Sequence, residues 1–191
     1  MLTRTLLIIS ILYGGSALGK YSGQATVTMS NRIYLGHLVP FHRYVQTSNR
    51  HFYTTNAEEI GTTFVDDTEQ YDFKYEKIAC QIFDPKASQP ANTVPLYRFV
   101  SQEKYYFYTT SLQEFDTNVP DVSMDFWKSD GIAGYVYSEQ KDGTVPFYRY
   151  YNSLQDEYFY TTNAGEIGTV TPGAVGKGGY KSEGIAAYVI S

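Results

Sequence analysis

From residue 39 onward the apolar positions come in short runs of β-branched and aromatic residues, broken by glycine, proline, asparagine and serine. That pattern predicts strands joined by turns. The run ending at Tyr137 alternates, with Ile132, Gly134 and Val136 expected on one face and Ala133, Tyr135 and Tyr137 on the other. Val-Pro opens three of the runs, and proline suits the first position of a strand because it has no N–H to give to a ladder.

The runs are one unit written three times. VPFHRY at 39–44 returns as VPLYRF at 94–99 and VPFYRY at 145–150, and FYTT follows at 52–55, 107–110 and 159–162. Each unit closes on a third block: YEKIACQIF at 75–83, SDGIAGYVY at 129–137 and SEGIAAYVI at 182–190. FYTT reads as the hairpin partner of the opening strand. Asn56-x-x-Glu59, Ser111-x-x-Glu114 and Asn163-x-x-Glu166 come next, with the spacing of a cap residue and a carboxylate that satisfy orphan amides at the start of a helical turn. Stretches 61–72, 116–125 and 168–179 differ most among the copies and read as surface loops.

A unit of this size buries its own apolar face poorly, so the three copies are expected to share one core around a pseudo-threefold axis. The predicted fold is all-β: a closed, three-bladed β-propeller-like ring with a short helical turn in each repeat, the β-trefoil being the alternative. The repeats span about 39–92, 93–143 and 144–191, within a single domain from residue 20. Segment 20–38, with strand character at 24–29, is expected to close the ring against the last repeat.

Residues 1–19 carry Arg4, an apolar run from Leu6 to Tyr13 and the small residues Gly14 to Ala17. This is the layout of a secretory signal peptide, too short to span a membrane, and it predicts a secreted protein. Cys80 is the single cysteine of the 191 residues, so no intrachain disulfide staples the domain. Asn-x-Ser/Thr is absent, and the net charge of −5 argues against nucleic-acid partners.

Arg43, Arg98 and Arg149 recur at one position among apolar neighbours, so each needs a partner; Glu76, Asp130 and Glu183, opening the closing blocks, are the matching acids. Either these pairs are structural or the arginine forks meet a sugar hydroxyl or carboxylate. An aromatic-Lys-x-acid string also recurs, as Phe73-Lys74-Tyr75-Glu76, Trp127-Lys128-Ser129-Asp130 and Tyr180-Lys181-Ser182-Glu183. A ring beside fixed donors and acceptors is what a sugar's apolar face and hydroxyl rim require; an edge aromatic that packs inward is the competing account. Tyr53, Tyr108 and Tyr160 in FYTT read as core rings with satisfied hydroxyls. His37, His42 and His51 are too few and too local for a tight metal site, and no cofactor motif is present. Chemistry needs unlike groups converging on one point, whereas here the charged positions are copied three times, which favours repeated binding over catalysis.

The series YR, FYTT and GIAGYV resembles a tandem-repeat family of unknown function found in secreted and cell-surface proteins, over about residues 39–190. Some relatives look like sugar-binding lectins with three-bladed propellers. The family's HFYTT is matched by His51–Thr55 alone, Tyr106 and Tyr158 replacing the histidine elsewhere. The first copy departs in turn at its end, where Lys77 stands in place of Gly131 and Gly184 and Gln81 in place of Tyr135 and Tyr188.

The expectation is a secreted, non-enzymatic, lectin-like module with up to three equivalent sites for surface glycans, and with homo-oligomerisation open. The alternative is a structural or protein-interaction scaffold that binds no sugar.

Overall fold

A computed structural model of the chain describes residues 38–65, 67, 71–115, 123, 124 and 126–191. The proposed leader, the closing segment up to residue 37 and much of the second variable loop lie outside these residues. Nine antiparallel strands appear in three sets. The first repeat supplies β1 (Leu38–Gln46), β2 (His51–Thr54) and β3 (Phe73–Phe83). The second supplies β4 (Thr93–Ser101), β5 (Tyr106–Thr109) and β6 (Trp127–Tyr137), and the third β7 (Val145–Asn152), β8 (Glu157–Thr161) and β9 (Lys181–Val189). In each set the opening strand is central, paired with the FYTT strand on one side and the closing strand on the other. Among the described residues the variable stretches carry isolated bridges at Val65, Ser123 and Val175 but no strand, and no helix is long and apolar enough to cross a membrane.

One 3-10 turn follows FYTT in every repeat, at Ala57–Glu59, Leu112–Phe115 and Ala164–Glu166. Asn56 and Asn163 cap their turns, accepting from Glu58 N–H at 3.2 Å and Gly165 N–H at 3.0 Å. The other half of the expected capping pair is not made, because Glu59, Glu114 and Glu166 turn away to arginines of other repeats. The strict alternation expected in the closing strands also fails. In all three, register shifts leave a residue without a partner across the ladder: Ala79, Ala133 and Ala186, then the acid Glu76, Asp130 or Glu183. Each extra residue re-aims its side chain, so Ala133 and Gly134 are both buried. In the second and third repeats the bend uses Gly131 and Gly184 at φ of 84° and 94°.

The three sets meet at the C-terminal ends of their closing strands, through Phe83 with Tyr135, Tyr137 with Tyr188, and Gln81 with Ile190 just past β9. A shared core lies between them, built from matched positions: Phe41, Leu96 and Phe147; Tyr53, Tyr108 and Tyr160; Ile82, Val136 and Val189. The expected closed sheet is not formed, since β2, β5 and β8 each pair with one strand only and the sheet stays open.

The reason lies at the free edges of these three strands. Each of Tyr53, Tyr108 and Tyr160 sends its hydroxyl to the backbone of another of the three. Tyr108 Oη donates to Tyr53 C=O at 2.6 Å and accepts from Tyr53 N–H at 2.8 Å. Tyr160 does the same to Tyr108 at 2.9 and 2.8 Å, and Tyr53 to Tyr160 at 2.7 and 2.9 Å. The rings meet edge to face with centroids 5.4–5.6 Å apart. A phenol thus takes the place of the missing strand, and burial pushes all three hydroxyls well above the ordinary tyrosine range, so they stay protonated donors.

Tyr108→Phe strands one buried N–H and one buried C=O at Tyr53. With each unpaired group costing about 1–3 kcal/mol, a loss of about 2–4 kcal/mol is expected in urea unfolding. The matching changes at Tyr53 and Tyr160 should cost the same within about 1 kcal/mol; a substitution that leaves the midpoint unmoved removes the triad from the account.

Candidate functional site

The repeated arginines lie opposite the triad tyrosines across the hairpins, Arg43 facing Tyr53, Arg98 Tyr108 and Arg149 Tyr160. All three predicted pairs are present. The Nε atoms of Arg43, Arg98 and Arg149 sit 2.7, 2.8 and 2.6 Å from carboxylate oxygens of Glu76, Asp130 and Glu183. In the middle pair the contact is ionic only, the N–H of Arg98 not being aimed along it. The β-bulge at each acid turns it toward the arginine.

The terminal nitrogens take a partner that sequence reasoning missed. Arg43 forks Glu166 of the third repeat at 3.1 and 3.1 Å, Arg98 forks Glu59 of the first at 2.9 and 3.0 Å, and Arg149 forks Glu114 of the second at 3.0 and 2.6 Å. Each guanidinium also lies over a phenylalanine of that same neighbour, Phe159, Phe52 and Phe107, at 5.0, 5.2 and 4.8 Å. The glutamates recurred in the sequence at one spacing after FYTT, which was the available signal; the helix-cap reading absorbed it.

Burial by itself would raise these glutamates, but the arginine hydrogen bonds and the threonine hydroxyls beneath them prevail. Glu59 and Glu114 are held below the ordinary carboxylate range. Glu166, which also receives Lys77 Nζ at 2.8 Å, is held at about 2.

The three predicted platform aromatics fare differently. Phe73 and Tyr180 are only 2% and 7% exposed, packed against Phe52 and Ile60 in one repeat and Phe159 and Ile167 in another. Neither ring offers an open face; the inward-packing account describes both. Trp127 is half-buried, beside Phe107, Phe115 and Met124. Of the histidines, His42 packs on Tyr75 and His51 is buried between repeats, while His37 lies outside the described residues.

What the fold does create is clefts where repeats abut. One of about 370 Å³ lies between the first and second, lined by Phe52, Glu59, Ile60 and Phe73 on one side and Arg98, Tyr106 and Asp130 on the other. The corresponding cleft between the second and third, about 350 Å³, is lined by Phe107, Glu114, Phe115, Met124 and Trp127 facing Tyr158. Both fall in the range of about 300–1,000 Å³ usual for small-molecule sites. Each combines aromatic surface with a carboxylate held in place by an arginine.

A carboxyl whose folded value is depressed stabilises the fold fully above its unfolded value, near 4.5, and that contribution disappears as pH falls toward the folded value. The contribution of these carboxyls to the unfolding midpoint should therefore be constant above about pH 5 and fall between about pH 4.5 and 2. Glu166→Gln should lower the plateau and flatten the acid limb; an acid limb unchanged in that variant would remove Glu166 from it.

No curated protein and no solved structure matches the chain. A family profile described as "Domain of unknown function (DUF5648)" matches residues 39–190, which takes in all three repeats from Val39 to Ile190. By that match, the chain belongs to the DUF5648 family.

Proposed function

We propose that the domain is a secreted, non-enzymatic carbohydrate-binding module whose ligands sit in the clefts between repeats. The observation that carries this reading is the cleft of about 350 Å³ lined by the half-buried ring of Trp127 and by Tyr158, which meet edge to face with centroids 6.5 Å apart, with Glu114 at its side. Aromatic faces complement the C–H face of a pyranose, and a carboxylate fixed by a fork of arginine hydrogen bonds accepts from its hydroxyls at no cost in reordering. The leader composition supports export, and three blades around one axis would present the clefts on a common rim.

The electrostatics favour binding over hydrolysis. A glycosidase needs one carboxyl raised to act as an acid, whereas Glu59, Glu114 and Glu166 are all displaced in the opposite direction by their arginines. The scaffold alternative draws on the same ion pairs, which are committed to holding repeats together.

Trp127 is the only tryptophan of the chain, so it reports its own cleft. A glycan array with the protein lacking residues 1–19 should give hits, and the best oligosaccharide should shift Trp127 emission on titration. Tyr158→Ala should weaken that binding at least roughly tenfold, about 1.4 kcal/mol, while leaving the unfolding transition cooperative. Glycan binding indifferent to both Trp127→Ala and Tyr158→Ala sinks the cleft; an array without hits favours the scaffold.

A further inference from the structure

The three junctions between repeats are built from equivalent positions, yet the third is chemically unlike the others. Where the first and second junctions set Tyr106 and Tyr158 against a cleft, the third has His51 against Phe159, which packs with Ile167 and Tyr180. His51 is 8% exposed, and its ring lies 4.8 Å from that of Phe159. Its backbone N–H donates to Glu157 Oε1 at 3.0 Å, and its Nδ1 lies 2.6 Å from the same oxygen, a contact that places the proton on Nδ1. The other carboxylate oxygen takes the hydroxyl of Tyr180. Asn49 closes the outside, its amide reaching Tyr180 Oη at 3.2 Å and Gln155 at 3.0 Å.

Glu157, 2% exposed, is the hub of this network, and the positions matching it hold Arg50 and Tyr105. Lys77, the other departure of the first repeat, also acts here: where the other closing strands have glycine, its ammonium joins Arg43 on Glu166. His51, Glu157 and Lys77, each a departure from the repeat pattern, thus gather at one junction. There is a physical reason for it. The chain runs directly from the first repeat to the second and from the second to the third, so those junctions are held covalently as well as by packing. Among the described residues, the junction of third and first is held by side-chain contacts and the Gln81–Ile190 bridge. A buried carboxylate shared by an imidazole and a phenol supplies that attachment, and it buries His51 where Tyr106 and Tyr158 stay partly exposed.

We infer that the third junction is a lock, and that the domain presents two ligand sites, at the first–second and second–third junctions, instead of three. The count of sites rests on the carbohydrate reading; the lock does not. Two clefts with different linings, Arg98, Asp130 and Lys104 about one and Trp127 and Met124 about the other, make the module a bivalent receptor with unlike sites, suited to branched or clustered glycans.

Two measurements on the full chain without residues 1–19 separate the claims. Hydroxyl-radical footprinting with peptide mapping needs no ligand: Tyr180 should oxidise about tenfold more slowly than Tyr106 and Tyr158, and Glu157→Ala should bring it up to them. Tyr180 oxidised as fast as Tyr158 in the unaltered protein overturns the lock, whether or not the variant folds. Native mass spectrometry with the methyl glycosides of galactose, mannose, N-acetylglucosamine and sialic acid then counts sites. Saturation at two sugars, falling to one in Trp127→Ala, is expected. Saturation at three overturns the inference and leaves the carbohydrate reading standing; no sugar bound at any concentration overturns that reading, and the footprint alone then decides the lock.

Discussion

The whole architecture turns on three phenol hydroxyls. A short FYTT strand can pair with only one neighbour, which leaves its other edge with an N–H and a C=O facing the interior. Burying both without partners would cost more than one strand's packing returns. Tyr53, Tyr108 and Tyr160 remove that cost for one another in a cycle, each hydroxyl donating to one carbonyl and accepting from one amide. Any two repeats satisfy one edge, as Tyr108 does for Tyr53, and all three must be in place before every edge is satisfied. Threefold packing is thereby a condition of burial and the cooperativity of the fold follows from it.

Outside the triad the arginines repeat the same logic with charge. Each guanidinium takes the acid of its own closing strand on one side and the turn glutamate of a neighbouring repeat on its two terminal nitrogens. Buried charges of this kind are tolerated when their donors are matched: the bidentate fork takes the terminal nitrogens in all three, and Nε is hydrogen-bonded in Arg43 and Arg149, while in Arg98 its contact with Asp130 is ionic. The staples fix how closely the repeats approach. They therefore set the width of the gaps between them, and the clefts are what remains once Phe52, Phe73, Phe107 and Phe115 have filled the inner part. Glu59, Asp130 and Glu114, carboxylates that hold the protein together, also line its openings.

Much of this was legible in the residues. Recurrence of VPFHRY and FYTT located the hairpins, Asn56 and Asn163 announced the 3-10 turns, and the like-for-like placement of Arg43, Arg98 and Arg149 with Glu76, Asp130 and Glu183 pointed to pairs within each repeat. Those pairings hold because both partners sit on adjacent strands of one hairpin unit, where register decides proximity. Phe73, Trp127 and Tyr180 show the limit. They occupy one position in the sequence, yet only the tryptophan keeps part of its ring outside the packed interior.

What the sequence determined alone was everything set by short range: strands, turns, the threefold repetition and the acid across from each arginine. Tertiary structure decided which repeat's glutamate reaches which arginine, where the tyrosine hydroxyls point, and how deeply the side chains at each junction are buried. The reason is that local periodicity is read along the chain, whereas those outcomes depend on the direction in which repeats pack around the axis. That direction brings Glu166 to Arg43 across 123 positions and Glu157 to His51 across 106, separations over which no spacing rule operates.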